Sequence, residues 1–435
     1  MLLIRSNTMN LVSAVESLRR GDHNECLKKL YPSFDREPDV YIGRIVSLLE
    51  AFREHFPEPA DIHLFSAPGR IEVGGNHTDH QHGNVLAASI DRDMIAAAVL
   101  NGTDKIRLFS VGYGGLEMDL GDLEPRKSEY DTTLSLVRGV TAEIIKTGAA
   151  VQGFDVCVMS DVPGGSGISS SAAFEVLIGE VLNGLFCEGQ HSPVTLAKIG
   201  QVAERVYFGK PSGLMDQTAS AVGGFVAIDF KDNSAPVIRA VPSEELAKQF
   251  CIFVIDTGSA HADLSGVYAG IPTEMRKVAA FFGKEVLREV DAAEFWNTIG
   301  QVRKKTGDRA VLRAIHFFEE NQRAIDEAAA LEANDIPAFL QLVRSSGHSS
   351  FIHLQNVIIS GQKEHQDVAY ALAIANHALK GRGVVRVHGG GFAGTILAFV
   401  PVDMAESFKA EVEAQLFPGA CVKMSIRPIG CAQVF

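Results

Sequence analysis

Residues 161–182 read DVPGGSGISSSAAFEVLIGEVL, with three glycines and three consecutive serines ahead of an apolar helical run. Gly164, Gly165 and Gly167 let main chain approach a ligand and adopt positive φ. Ser169, Ser170 and Ser171 add hydroxyls and N–H groups where Ala172, Val176, Leu177 and Val181 open the helix. A glycine-rich turn running into a helix N-terminus is a natural anion site. It is not a Walker loop, which needs Gly-Lys-Ser/Thr, and it is not GxGxxG, because serines follow Gly167. The plainer alternative is a serine-capped turn before a buried helix.

The second stretch, APGRIEVGGNHTDHQHGN (67–84), puts Arg70 just after Pro-Gly at the end of a strand candidate, IHLFSA. Asn76, His77, Asp79, His80 and His82 then crowd into seven residues. The spacing HxDHxH lacks the helical frame of HExxH or a facial triad. A hydrogen-bonding loop for a polyhydroxylated ligand fits better, since a carboxylate can accept from two neighbouring hydroxyls; a plain polar surface loop is the alternative. In the third, YFGKPSGLMDQTASAVGG (207–224), Gly209, Pro211 and Gly213 mark a turn. Asp216 falls in the first turn of the helix after it, where the macrodipole favours a carboxylate. Glu204 lies on the preceding helix, where a solvated surface position is the default. In the fourth, VHGGGFAGTILAFV (387–400), three glycines between strand candidates allow close main-chain approach.

The chain that must position these groups has 435 residues, enough for two or three domains. Its 40 basic and 53 acidic side chains give −13, which argues against general nucleic-acid binding. Six scattered cysteines without CxxC fit reduced thiols rather than a disulfide framework or a zinc site. No run approaches ~18 apolar residues, and the start is too short for a secretory signal. A soluble, cytoplasmic protein is expected. Periodicity predicts short helices over 9–31 and a helix over 41–56. Further helices are expected at 132–148, 169–186, 194–208, 272–289, 308–333, 335–347, 362–380 and 403–416. Strands are expected at 93–100, 105–111, 153–159, 224–230, 251–256, 384–388, 395–400 and 421–426. This mixed order suggests α+β.

Over residues 61–435 the four stretches together resemble the galactokinase branch of the galactokinase–homoserine kinase–mevalonate kinase–phosphomevalonate kinase (GHMP) superfamily. The matching motifs are APGR-x-x-x-x-G-x-HTD, PGGSGISSSAA, GLMDQ and GGGFAG. The resemblance implies a two-lobed α+β fold: an N-terminal lobe like ribosomal protein S5 domain 2 and a ferredoxin-like C-terminal lobe. Its units would be an N-terminal helical extension (1–60), an ATP- and sugar-binding domain (61–245) and a C-terminal domain (246–435). It implies Asp216 as the catalytic aspartate facing the sugar's anomeric hydroxyl, with Arg70 as its basic partner. Ser171 and Glu204 would hold Mg²⁺, and Gly164, Gly165, Gly167, Ser169 and Ser170 would cradle the phosphates of ATP. Asn76, His77, Asp79, Gly213 and Tyr268 would contact the sugar. MgATP and a small sugar are the implied partners, with no nucleic acid and no membrane; a monomer is compatible with the sequence.

One departure concerns specificity. Family members carry glutamate where Asn76 stands, and that glutamate contacts the sugar O6. Asparagine can still bond a 6-hydroxyl and would not repel a C6 carboxylate. The implied activity is ATP-dependent 1-phosphorylation of D-galactose. Galacturonate is an alternative substrate, since Asp79-His80-Gln81 also resembles the galacturonate-kinase branch, although the family's arginine-rich stretch after the tyrosine is absent unless Arg276 or Lys277 serves. A sugar without C6, such as arabinose, is a third option. A homoserine or mevalonate kinase would lack the His77-Thr78-Asp79 loop. A catalytically silent sugar-sensing regulator would be expected to have a damaged Ser169–Ala173 run, Glu204 or Asp216, and all are intact.

Overall fold

The computed structural model describes residues 9–57, 61–162, 168–210, 212–259 and 265–435. Twelve strands run in chain order among them: β1 (His63–Gly74), β2 (Asn84–Leu100), β3 (Lys105–Ser110), β4 (Gly114–Asp119), β5 (Phe154–Ser160), β6 (Phe225–Asp229), β7 (Val237–Val241), β8 (Phe250–Asp256), β9 (Val384–Val387), β10 (Thr395–Pro401), β11 (Cys421–Met424) and β12 (Ala432–Gln433). The first sheet has the order β12-β1-β2-β5-β3-β4, with β6 also paired to β2 and β7 beyond it. Among the described residues only β3 and β5 pair in parallel. The second sheet, β11-β8-β10-β9, is antiparallel throughout. Its strands follow the β-α-β-β-α-β plan, the ferredoxin-like topology that was expected.

The faces of the first sheet follow strand alternation. Met94, Ala96 and Ala98 of β2 and Val156 and Val158 of β5 join one apolar cluster, covered by helices Thr133–Lys146, Ser170–Phe186 and Pro193–Val202. Ile95, Ala97 and Cys157 point the other way, into a second cluster. That cluster is completed by Leu18, Leu30, Leu48, Leu49 and Phe52 from helices Leu11–Arg20, Asn24–Leu30 and Pro38–His55. The N-terminal extension therefore covers a sheet face that would otherwise be apolar and exposed. Each fully buried leucine or phenylalanine there contributes roughly 1.5–3 kcal/mol.

Several elements differ from the sequence expectation. β2 runs from 84 instead of 93, through the charged triplet Asp91-Arg92-Asp93, which no strand propensity favours. Asp93 is tolerated because it is fully buried among partners: Arg44 and Ser66, Tyr31 Oη at 2.6 Å and Arg427 Nη1 at 2.7 Å. Burial alone would raise its carboxyl, but Arg44 and Arg427 outweigh that and hold it down at about 2. Strands β4 and β7 and helix Ala292–Thr306 were not anticipated. The helix expected at 272–289 spans Ser265–Phe281 and carries Pro272 in its interior.

Two ends meet at β1. Arg386 of β9 donates from Nη1 to Val73 O at 2.5 Å, and His388 Nε2 accepts the Glu72 N–H at 3.1 Å. The second sheet thus grips the strand that carries Arg70.

Removing Arg44 would leave Asp93 buried with less compensation. Arg44→Ala should cost about 3–5 kcal/mol in urea unfolding at pH 7; a loss below about 1 kcal/mol would mean the network is not holding the arm. Because the Asp93 carboxyl is depressed, its contribution is present above its unfolded value near 4 and is lost as pH falls toward 2. The wild-type advantage over Asp93→Asn should shrink over that interval.

Candidate active site

A cavity of about 610 Å³ opens beside β1. Of the expected sugar and catalytic residues, Arg70, His77, Asp79, Gly213, Asp216 and Tyr268 all line it. Asp216 sits in the first turn of helix Met215–Val222, as expected. Arg70, 146 positions earlier, donates from Nε to Asp216 Oδ1 at 2.8 Å, and Ser169 Oγ donates to Oδ2. Arg70 was expected just past a strand; instead β1 continues to Gly74, with register shifts between Pro68 and Arg70 and between Glu72 and Gly74. Ile71 and Val73 enter the core while Arg70 and Glu72 face the cavity. Burial would raise the Asp216 carboxyl; Arg70, Lys210 and the Ser169 hydroxyl outweigh it and bring it down to about 2.

The loop after β1 is held by the glycine motif of the C-terminal lobe. His77 takes φ +60° and packs its ring against Tyr268, with centroids 5.1 Å apart. Burial first, then His80, depress the His77 imidazole to about 3, so it is neutral. Its Nε2 lies 3.1 Å from Gly390 O and must donate, which leaves Nδ1 as an acceptor with no partner among the described residues. Gly390 has to be glycine, since a Cβ would come within 2.7 Å of the Tyr268 ring. At Gly213 a Cβ would strike the Asp79 carboxylate. His80 bonds the Tyr268 hydroxyl at 3.0 Å. Among the described residues no group of three His, Cys, Asp or Glu is placed to hold a metal.

Beside this wall lies a second polar group. Ser171 Oγ donates to Glu204 Oε1 at 2.9 Å, and Lys210 Nζ reaches the same oxygen at 2.7 Å. Glu204 is buried, where a solvated position was the default. The helix expected over 194–208 turns π-helical at Ala203–Phe208 and rotates it inward. Gln217 Nε2 bridges Glu204 and Glu175, each at 2.9 Å. Burial, then the Glu204 charge, push the Glu175 carboxyl well above its ordinary range. Lys210, Glu175 and Gln217 were missed; only Gln217 carried a signal, as the residue after Asp216. Ser170 opens the helix with Ser171. Gly164, Gly165 and Gly167 lie outside the described residues, as does His261, which had supported Tyr268.

Asn76 is corrected. Its side chain is fully buried behind the cavity wall. The amide nitrogen donates to Glu72 Oε1 at 2.6 Å and Gly389 O at 2.7 Å, and the oxygen accepts from Asn356 Nδ2 at 2.9 Å. Those bonds leave no donor for a sugar. Glu72 lines the cavity in its place, and Arg276 lines it as well.

The galactokinase galactose-binding signature matches residues 50–99, and the N-terminal domain of the GHMP kinases matches 135–224. A galactokinase of Actinobacillus pleuropneumoniae is 31% identical over 83% of this chain and 90% of its own. The chain belongs to the galactokinase family. A Streptomyces coelicolor galactokinase is also 31% identical, over 84% of this chain and 91% of its own. The crystal structure of Lactococcus lactis galactokinase complexed with galactose superimposes with a TM-score of 0.77. It is 25% identical and covers 89% of this chain and 99% of that one. Methanococcus jannaschii mevalonate kinase shares the fold, with a TM-score of 0.60 at 14% identity over 83% and 98%. The protein is thus a phosphotransferase with an alcohol acceptor, built on the two-sheet α+β GHMP fold.

Gly213→Ala should displace Asp79. The KM for the sugar should rise at least about tenfold while kcat changes less, since a displaced binding hydrogen bond to a charged group is worth ~1.5–3 kcal/mol. An unchanged KM in steady-state kinetics would remove Asp79 from the binding wall.

Proposed function

We propose that the protein transfers the γ-phosphoryl group of ATP to the anomeric hydroxyl of D-galactose, giving galactose 1-phosphate and ADP. The observation that carries this reading is the ion pair of buried Arg70 with partly buried Asp216, on the wall of a cavity that also presents His77 and Asp79. In the reaction the sugar O1 forms a bond to phosphorus, the bond to the ADP oxygen breaks and the O1 proton leaves. Asp216 accepts the O1–H hydrogen bond and aims the nucleophile. With its carboxyl near 2 it is a weak base, so it takes the proton only as O1 acidifies late in transfer. Arg70 fixes that carboxylate in place through its Nε–H bond to Oδ1. His77 Nδ1 and Asp79 accept from sugar hydroxyls, and Gly213 leaves room for Asp79. Tyr268 packs over His77 and closes that side.

The loop carrying Gly164, Gly165, Gly167, Ser169 and Ser170 would hold the ATP phosphates. Ser171 and Glu204 are hard oxygen donors already in contact, the donor type Mg²⁺ takes. Mg²⁺ bound there would neutralise phosphate charge. Lys210 now balances Glu204. Free thiols at the six cysteines fit a cytoplasmic location, and no helix among the described residues is long and apolar enough to cross a membrane. In the cavity wall Arg276 favours galacturonate, and the Glu72 carboxylate on the same wall opposes that reading.

ADP release from MgATP with D-galactose, D-galacturonate and L-arabinose tests the reading. Galactose should be the preferred substrate. Asp216→Ala should lose at least about 10³-fold in kcat while still binding ATP. ATP and sugar binding without turnover by the wild type would turn the reading to a sensing protein.

A further inference from the structure

Glu72 is a buried carboxyl on the cavity wall for which neither the expected chemistry nor the family motifs provide a task. We propose that Glu72 recognises the substrate: its carboxylate receives a sugar hydroxyl, that of C6, and turns away a sugar carrying an anion there. This rests on the galactose 1-kinase reading above.

The geometry is specific. Glu72 is 4% exposed and shares the cavity face of β1 with Arg70. Its Oε1 is occupied, accepting from Asn76 Nδ2 at 2.6 Å and from Arg386 Nη2 at 3.2 Å. Its Oε2 carries no hydrogen bond among the described residues. Glu72 lines the cavity, so this second oxygen is open to accept from a hydroxyl placed there. Asn76 cannot be that donor's receiver. Asn356 supplies N–H to its oxygen, so its amide nitrogen must face Glu72 and Gly389. Asn76 is a positioning residue that holds the Glu72 carboxylate from behind. The acceptor expected at position 76 is thus supplied from position 72, through a pair of touching side chains four residues apart.

The charge state adds a readout. Burial pushes the Glu72 carboxyl up, against the pull of Arg386, Arg70 and the Asn76 amide, to about 7. Asp79 from the following loop, Glu327 from helix Asp308–Glu332, Tyr268 from helix Ser265–Phe281 and His388 beyond β9 are its other titratable neighbours. Above neutrality an ionised Glu72 accepts from a hydroxyl and repels a carboxylate. Below neutrality a protonated Glu72 can donate to a carboxylate.

The test compares kcat/KM for D-galactose, 6-deoxy-D-galactose and D-galacturonate with MgATP, at pH 6 and pH 8.5. Wild type should prefer galactose over the 6-deoxy sugar by about 10- to 100-fold. Its preference for galactose over galacturonate should grow at least about tenfold from pH 6 to pH 8.5. Glu72→Gln should abolish that pH trend and raise galacturonate relative to galactose at pH 8.5 by a similar factor. Should Glu72→Gln fail to fold, the wild-type pH trend decides alone. The exchange Glu72→Asn with Asn76→Glu keeps the hydrogen-bonded pair and should restore rejection of galacturonate without the wild-type trend. A galactose to galacturonate ratio that stays within about twofold between the two pH values, or between wild type and Glu72→Gln, overturns the proposal. Failure of wild type to phosphorylate any of the three sugars would instead overturn the kinase reading on which it rests.

Discussion

The ion pair between Arg70 and Asp216 sets the terms for the rest of the molecule. Both groups are largely removed from water, so each needs the other in place. A buried charge left alone costs several kcal/mol. Arg70 comes from a strand and Asp216 from a helix start 146 residues later. The sheet, the helix and the serine turn that delivers Ser169 must therefore dock with little slack. The register shifts on either side of Arg70 and Glu72 are how β1 turns two polar side chains to the cavity while Ile71 and Val73 enter the core.

The support comes from two directions. The second sheet holds β1 through Arg386 and His388, so the strand carrying Arg70 is fixed by both halves of the chain. From behind, three N-terminal helices cover the opposite face of the first sheet. Asp93 then pins them, with Arg44 from the arm and Arg427 near the C-terminus on one carboxylate. The three helices thus belong to the core that keeps the strand carrying Arg70 still.

Local motifs made much of the site legible in the sequence. Asp216, His77, Asp79 and Gly213 stand where their runs suggested, and the triple glycine proved to be a close-approach device against Tyr268 and His77. What could not be read depended on tertiary geometry. No pattern says that Glu204 turns inward, because a π-helical turn is invisible to a 3.6-residue period. Lys210 and Glu175 look like ordinary charged residues until Gln217 and Ser171 are seen to join them through Glu204. Asn76 was given a sugar contact by its place in a motif, yet its amide is spent on Glu72, Gly389 and Asn356. The first half of β2 hid behind alanines and a charged triplet that only Arg44 and Arg427 make tolerable in a strand.

The most direct test of the Arg70–Asp216 pair as the organising unit is a double-mutant cycle on galactose phosphorylation. It needs kcat/KM for wild type, Arg70→Met, Asp216→Asn and the double variant. If Arg70 acts through the aspartate, the double variant should be no slower than Asp216→Asn within about threefold. Losses that multiply, with the double variant slower by the product of the two single effects, would contradict the account and assign the two residues independent tasks.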